Sequence, residues 1–316
     1  MATGGIARKF ALDARSHGIQ VVAVAGRDAS KAHKFAAEMG IPRAHGSYEA
    51  LLTDSDVNAI YIAIPNHLHA EWSIRAARAG KHVLCEKPGT MDEADCEAVI
   101  QSADRAGVFY MEGFMYRLHP VWGFVKALIA EGRIGAVRTM HSSFCFDMGY
   151  QPENIRQMRE TGGGALLDIG CYCLSFSRMI AGEEPVTAKA SSRMGAENGI
   201  DEVTTANLEF PDGVLATFQC GIRLAQPHAA IIYGEYGHIE IPTPWVPAKE
   251  GSEVRLMMKG EEPEVYRIGD GLPLYAREAL EVAEHLGKRQ SPTLTWEDSL
   301  GQARALETLR KSAGLL

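Results

Sequence analysis

What the sequence lacks narrows the choice of protein class. No apolar run approaches the ~20 residues of a membrane span, and the opening Met1-Ala-Thr-Gly-Gly-Ile-Ala-Arg-Lys-Phe10 holds no apolar signal core. Positive charge is not in excess. The chain has 32 Lys and Arg against 40 Asp and Glu, a net charge of −8, which argues against nucleic acid or an anionic membrane as the main partner. The six cysteines (Cys85, Cys96, Cys145, Cys171, Cys173, Cys220) show neither a disulfide framework nor zinc spacing. Reduced thiols in a cytoplasm are the plain reading, with Cys171 and Cys173 as packing residues. There are no internal repeats and no low-complexity stretch. What remains is 316 residues, 46% of them hydrophobic, enough for roughly two domains with a sizeable core.

The first ~115 residues alternate helix and strand patterns. Helical runs over 6–17, from Asp28 to Glu38, from Ser47, over 69–78 and over 91–105 separate short apolar strands at 21–25, 58–64, 81–85 and 108–111. Asp28 is expected to cap its helix and Gly40 to end it, and Thr90 with Glu93 has the spacing of a capping box. Weakly charged strands separated by helices indicate a parallel sheet covered on both faces. After about residue 120 the pattern changes. A helix over 119–131 precedes eight strand-like runs at 136–147, 186–194, 203–210, 214–221, 229–234, 238–242, 253–258 and 263–268, with Pro211-Asp-Gly213 as a hairpin turn. Helices over 275–288 and 296–312 follow. The expected architecture is an α/β Rossmann-type doubly wound parallel sheet over residues 1–116, followed by an α+β domain over 117–316 with a large, mostly antiparallel sheet.

A dinucleotide-binding fold normally opens with a strand feeding a G-x-G-x-x-G/A turn. Here that strand is missing and the chain begins inside the turn. In Ala2-Thr3-Gly4-Gly5-Ile6-Ala7, Gly4 stands for the second glycine and Ala7 for the third small position, while Ala2 takes the place of the first glycine. The absent strand belongs in the middle of the sheet, so its loss would expose hydrogen-bonding edges. The expectation is that Met1 is internal to a longer reading frame.

The chemistry-bearing residues gather where such sheets bind ligands, outside the carboxyl ends of their strands. Lys87 ends a strand in Leu84-Cys-Glu-Lys-Pro88; a lysine there can donate to a substrate hydroxyl and stabilise developing negative charge. In Gly162-Gly-Gly-Ala-Leu-Leu-Asp168-Ile-Gly-Cys-Tyr172, Asp168 opens a helix and Tyr172 lies one turn on, so both share a face. Lysine, aspartate and tyrosine in one cleft can move a proton while a nicotinamide carries a hydride. Arg27 stands where an acidic residue would bind an NAD ribose, and with Ser30 and Lys31 it suits the 2′-phosphate of NADP. Asp28 is either a helix cap, the preferred reading, or a ribose ligand, and NADP is favoured over NAD. Pro65, Asn66 and His69 follow a second strand, near where the dinucleotide crosses. His67 and His69 lack a carboxylate or cysteine partner at ligand spacing, so no metal is assigned. Glu86 is either structural or touches the nicotinamide side of the pocket. Tyr116, Arg117, His119 and Arg156 divide between substrate contact and scaffold.

Together these motifs resemble the glucose–fructose oxidoreductase / inositol dehydrogenase (Gfo/Idh/MocA) family along essentially the whole chain. The resemblance rests on Gly4-Gly-Ile-Ala7, Pro65-Asn-His-Leu-His69, Ala79-Gly-Lys-His-Val83 through Glu86-Lys-Pro88, and Gly162 through Tyr172. Glu112-Gly-Phe-Met-Tyr-Arg-Leu-His-Pro120 is similar to the branch containing dihydrodiol dehydrogenases and NADP-dependent D-xylose dehydrogenases. The resemblance implies that Gly4, Gly5, Ile6 and Ala7 bind the dinucleotide, that Lys87 also lines the nicotinamide pocket, that Tyr172 is the acid/base and that Asp168 orients substrate. Many relatives carry histidine where Tyr172 stands. A tyrosine titrates near 10 when unperturbed, so it needs Lys87 or the positive ring of the cofactor to act as a base near neutral pH. The implied activity is hydride transfer between NADP and a secondary alcohol of a sugar, polyol or cyclic diol, by a homo-oligomer (dimer or tetramer). Two alternatives remain open: a cofactor-dependent glycosidase of the same family, and a non-catalytic dinucleotide-binding sensor.

Overall fold

A computed structural model describes residues Met1–Leu316. The chain divides into two compact units, Met1–Met115 with Pro273–Leu300, and Tyr116–Leu272 with Gly301–Leu316. This departs from a single division at 116/117 because the segment from Pro273 returns to the first unit.

In the first unit, α1 (Gly5–Arg15), β1 (Ala23–Ala25), α2 (Ala29–Met39), β2 (Arg43–His45), α3 (Tyr48–Leu52), β3 (Ala59–Ile62), α4 (His69–Arg78), β4 (His82–Glu86), α5 (Glu93–Ala106) and β5 (Tyr110–Gly113) follow in order. Local chemistry sets the helix ends. Asp28 accepts the amides of Ser30 and Lys31 at the start of α2, and Gly40 closes it at φ +61°. Ser47 accepts from the amide of Ala50 at α3. The cap of α5 differs from expectation: Asp92 accepts the amide of Asp95, and the Thr90 hydroxyl instead donates to the Asp92 carbonyl. The strands are parallel and covered on both faces, since neighbouring Val24 and Ala25 enter two different apolar clusters.

The sheet is split into β1–β2 and β3–β4–β5. Between β1 and β3 only Met1 and Ala2 bridge the gap. The nitrogen of Met1 donates to the Tyr61 carbonyl at 2.7 Å, Ala63 N–H donates to the Met1 carbonyl at 3.2 Å, and Ala2 N–H donates to the Ala25 carbonyl at 3.0 Å. The rest of the lane is a cavity of ≈ 290 Å³ with Val22, Val24, Ile60, Phe10 and Val282 in its walls. No strand of the chain runs in this lane between β1 and β3.

The second unit starts with α6 (Pro120–Ala130) and β6 (Val137–Cys145), then α7 (Cys171–Ala181) and β7 (Thr187–Met194), β8 (Asp201–Glu209), β9 (Leu215–Gly221), β10 (Ala229–Gly234), β11 (Gly237–Ile241), β12 (Ser252–Met258) and β13 (Glu264–Ile268). The eight strands form one sheet in the order β13-β12-β11-β10-β6-β9-β8-β7, antiparallel except for β6 beside β9. α8 (Leu274–His285) belongs to the first unit, and α9 (Trp296–Ser312) runs across the boundary at Gly301. The helical stretch Arg159–Ala181 is long and apolar enough to cross a membrane, a length not expected from the sequence, but it is largely buried, as a core helix is.

Candidate active site

The glycine turn leads into α1 with open space on the Cβ side of its glycines. Gly4 makes no side-chain cap bond, the first turn holds no acidic residue, and a Cβ at Gly4 or Gly5 would meet no atom within 4 Å. Ile6 is exposed and Ala7 is buried against the sheet. A helix start of this kind attracts a diphosphate. Ala2, in the place of the first glycine, is held at φ +122°, a conformation that favours glycine. At the end of β1, exposed Arg27 faces the Tyr48 hydroxyl and borders a cleft of ≈ 480 Å³ with Ser47, His67, Glu71 and Trp72. Asp28 is taken up as the α2 cap, and the Ser30 hydroxyl, the foremost cause, keeps its pKa low. This leaves Arg27 and exposed Lys31 as the cations at this edge. The residues present therefore fit an adenine dinucleotide.

Lys87 leaves the carboxyl end of β4 on a clamped loop, with the Lys87–Pro88 peptide cis. Glu112, buried at the end of β5, accepts the Gly89 amide at 2.7 Å. His69 has Nδ1 2.8 Å from the Pro88 carbonyl and Nε2 2.7 Å from the Ile64 carbonyl. Its side chain is 1% exposed, and burial lowers its pKa to about 4. His69, the first residue of α4, thus has its ring packed between the Lys87 loop and the turn after β3, and the neutral ring donates to one of the two carbonyls. Pro65 precedes a short 3-10 turn, Asn66–Leu68, that leaves Asn66 half-buried. Glu86 accepts a hydrogen bond from the Tyr61 hydroxyl. Behind it, fully buried Glu278 has its carboxyl pKa pushed well up, by burial first and then by the charge of Glu86. Neither Glu112 nor Glu278 was singled out from sequence. A charged residue closing the apolar run Val108–Met111 is the signal that marks Glu112.

In the second unit the three glycines shape the approach to Asp168. Gly162 is at φ +76°, and a Cβ on Gly163 would lie 2.7 Å from the carbonyls of Arg156 and Met158. Asp168 lies in a π-helical turn, Leu166–Gly170, that feeds α7. Arg156 Nε donates to its Oδ2 at 2.9 Å. Arg156 thus holds Asp168 in an ion pair. Tyr172, in the first turn of α7, is 5% exposed, with Tyr116, Phe144 and Trp245 ring centroids 5.6, 5.3 and 6.1 Å away. Tyr116 does not take the expected substrate-facing place. It is fully buried and its hydroxyl donates to Ser175 Oγ at 3.0 Å. Arg117 is half-buried in the 3-10 turn Met115–Leu118, and the His119 ring accepts the Val121 amide to cap α6.

An open helix start on a parallel sheet with a lysine at a strand end, in a chain whose second unit carries a buried aspartate–tyrosine turn, is the equipment of the dinucleotide-dependent oxidoreductases as a class. Residues 2–114 match the oxidoreductase family model with an NAD-binding Rossmann fold, and residues 122–240 match the GFO/IDH/MocA C-terminal domain. The chain belongs to the Gfo/Idh/MocA oxidoreductase family and is an NAD(P)-dependent enzyme. It is 33% identical over 306 residues to the mouse (Mus musculus) trans-1,2-dihydrobenzene-1,2-diol dehydrogenase, covering 94% of this chain and 89% of that one. It is 33% identical over 317 residues to a D-xylose 1-dehydrogenase (NADP(+)) of Haloferax volcanii, covering 99% and 96%. A 3-ketoreductase from Actinomadura kijaniata, solved with NADP and TDP-benzene, superposes with a TM-score of 0.91 at 30% identity, covering 99% of this chain and 96% of that one.

Proposed function

We propose that the chain is an NADP-dependent dehydrogenase or reductase acting on a secondary alcohol or its ketone in a sugar, polyol or cyclic diol. The observation that carries this reading is the held Lys87 loop. A buried carboxylate and a buried imidazole hold the backbone of Pro88 and Gly89, just after the lysine that leaves β4, as a group that must meet a reacting oxygen requires. The relatives named for diol, xylose and keto-sugar chemistry support the substrate class.

NADP, when bound, accepts or supplies the hydride. Gly4, Gly5, Ile6 and Ala7 receive the diphosphate, Arg27 with Lys31 receives the 2′-phosphate, and Pro65, Asn66 and Glu86 line the path to the nicotinamide. Tyr172 Oη takes the hydroxyl proton in oxidation and returns it in reduction. Lys87 Nζ stabilises negative charge on the substrate oxygen. Asp168, held by Arg156, orients the hydroxyl groups. Tyr116 and Arg117 back this arrangement.

We place the enzyme in a cytoplasm, where its six free cysteines, all buried, stay reduced. We propose a homo-oligomer formed through the large sheet, on which Leu215 and Val265 are exposed. Nicotinamide fluorescence tests the cofactor assignment. The wild type is expected to bind NADPH more tightly than NADH, and Arg27→Ala to lose about tenfold for NADPH alone. Equal losses for both cofactors would remove Arg27 from the phosphate site.

A further inference from the structure

Asp201, the first residue of β8, is 4% exposed. Its Oδ2 accepts the Leu166 backbone amide at 2.7 Å and the Thr204 hydroxyl at 3.0 Å. Leu166 is the first residue of the π-helical turn that carries Asp168. The same carboxyl lies against Gly164, held at φ +117°, where a Cβ would fall 2.0 Å from Asp201 Oδ1. The Gly164 carbonyl in turn accepts the Asp168 amide at 3.0 Å. At the other end of the turn, a Cβ on Gly170 would lie 2.8 Å from Cys220 Sγ. The turn is thus seated between two strands, with Asp201 as a side-chain anchor on its first backbone amide.

We propose that Asp201 is a positioning residue for the reaction: its buried carboxylate pins the amide that starts the π turn and so sets where Asp168 and Tyr172 stand. This rests on the reading that Asp168 and Tyr172 serve the reaction. Burial, the largest cause, raises the pKa of Asp201 to about 6; the Leu166 amide, the Thr204 hydroxyl and Arg310 on α9 act in the opposite direction. From β9 it faces the Cys220 thiol, itself pushed up by burial. The Asp168 carboxylate is directed to Arg156. Above about pH 6 the anchor is anionic and accepts strongly; below it, protonation weakens the two bonds that it accepts while the carboxyl stays buried, so the turn loosens locally even though the neutral buried acid stabilises the fold against the unfolded chain.

The test combines hydrogen exchange over residues 164–172 with the pH profile of kcat, in the wild type and in Asp201→Asn. In the wild type, protection of the Leu166 amide, corrected for intrinsic exchange, is expected to fall about tenfold below pH 6 while amides of β6 keep theirs. In Asp201→Asn this pH step is expected to vanish. Its kcat should drop about tenfold at pH 8 and lose the acidic limb near 6, with KM for NADPH within about twofold. Should the variant fail to fold, the wild-type exchange profile alone decides. A flat profile, or a variant with wild-type kcat and acidic limb, overturns the proposal. The exchange arm needs no substrate, so a protein inactive on every sugar and diol would sink the catalytic reading while leaving the anchor itself measurable.

Discussion

At the scale of single residues, Ala2 shows how a motif departure becomes strain. The turn into α1 needs a glycine-like backbone, and an L-residue at φ +122° stores about 1–3 kcal/mol. Ala2→Gly is expected to raise stability by about 1 kcal/mol after the extra chain entropy of glycine is counted, read as a higher denaturant midpoint at unchanged slope. An unchanged or lower midpoint would show that the strain is already relieved. The sequence shows the place of Ala2 because the G-x-G spacing is a local rule. It also shows Asp28 as a helix cap, since its partners are two and three residues away. The partners of Arg156 and Tyr116 are not legible in this way. Asp168 lies twelve residues from Arg156, and Ser175 lies 59 from Tyr116. Only the folded chain decides whether a polar group meets a ligand or a neighbour.

At the scale of elements, the site depends on loops held from outside themselves. The Lys87 loop is held from β5 by Glu112 and from the start of α4 by His69. Removing the Glu112 carboxylate leaves the Gly89 amide buried without its acceptor, which costs about 1–3 kcal/mol. Glu112→Ala is expected to lose about 2 kcal/mol in denaturant unfolding and to lower kcat, and Glu112→Gln to recover most of both. Full activity in the alanine variant would show that the loop needs no clamp. The long elements were legible in sequence. All eight strands of the large sheet fall within a few residues of their alternating patterns, because period-two burial is written in every residue. Short or irregular elements were not. β2, three residues of intermediate burial, carries no apolar run. The π turn around Asp168 reads in sequence as ordinary helix, since its extra residue is accommodated by Gly170 and the anchor at Asp201, neither of which alters periodicity.

At the scale of the whole molecule, pH acts on buried groups of opposite sign. His69 is kept neutral by burial, with its pKa lowered from 6.5 to about 4. Its contribution to stability is present above about 6.5 and is lost as pH falls through 4, up to about 3 kcal/mol. Asp201 runs the other way. Its pKa is raised from 3.8 to about 6, so its contribution is full below about 3.8 and is lost as pH rises through 6. Unfolding titrations from pH 7 to 4 should therefore show the wild type losing stability relative to His69→Asn across that window, and parallel curves would contradict the assignment. The two-unit layout was legible in sequence, but the return of Pro273–Leu300 to the first unit was not, because long-range docking leaves no local pattern. In the proposed reaction Tyr172 moves the proton for an NADP-linked hydride transfer. The most direct test follows nicotinamide absorbance in the wild type and in Tyr172→Phe over a panel of aldoses, polyols and cyclic diols with NADP. The expected result is turnover on at least one panel member by the wild type and a kcat lower by about 10²–10⁴ in Tyr172→Phe, with NADPH still bound. Equal turnover by the two proteins would contradict the claim.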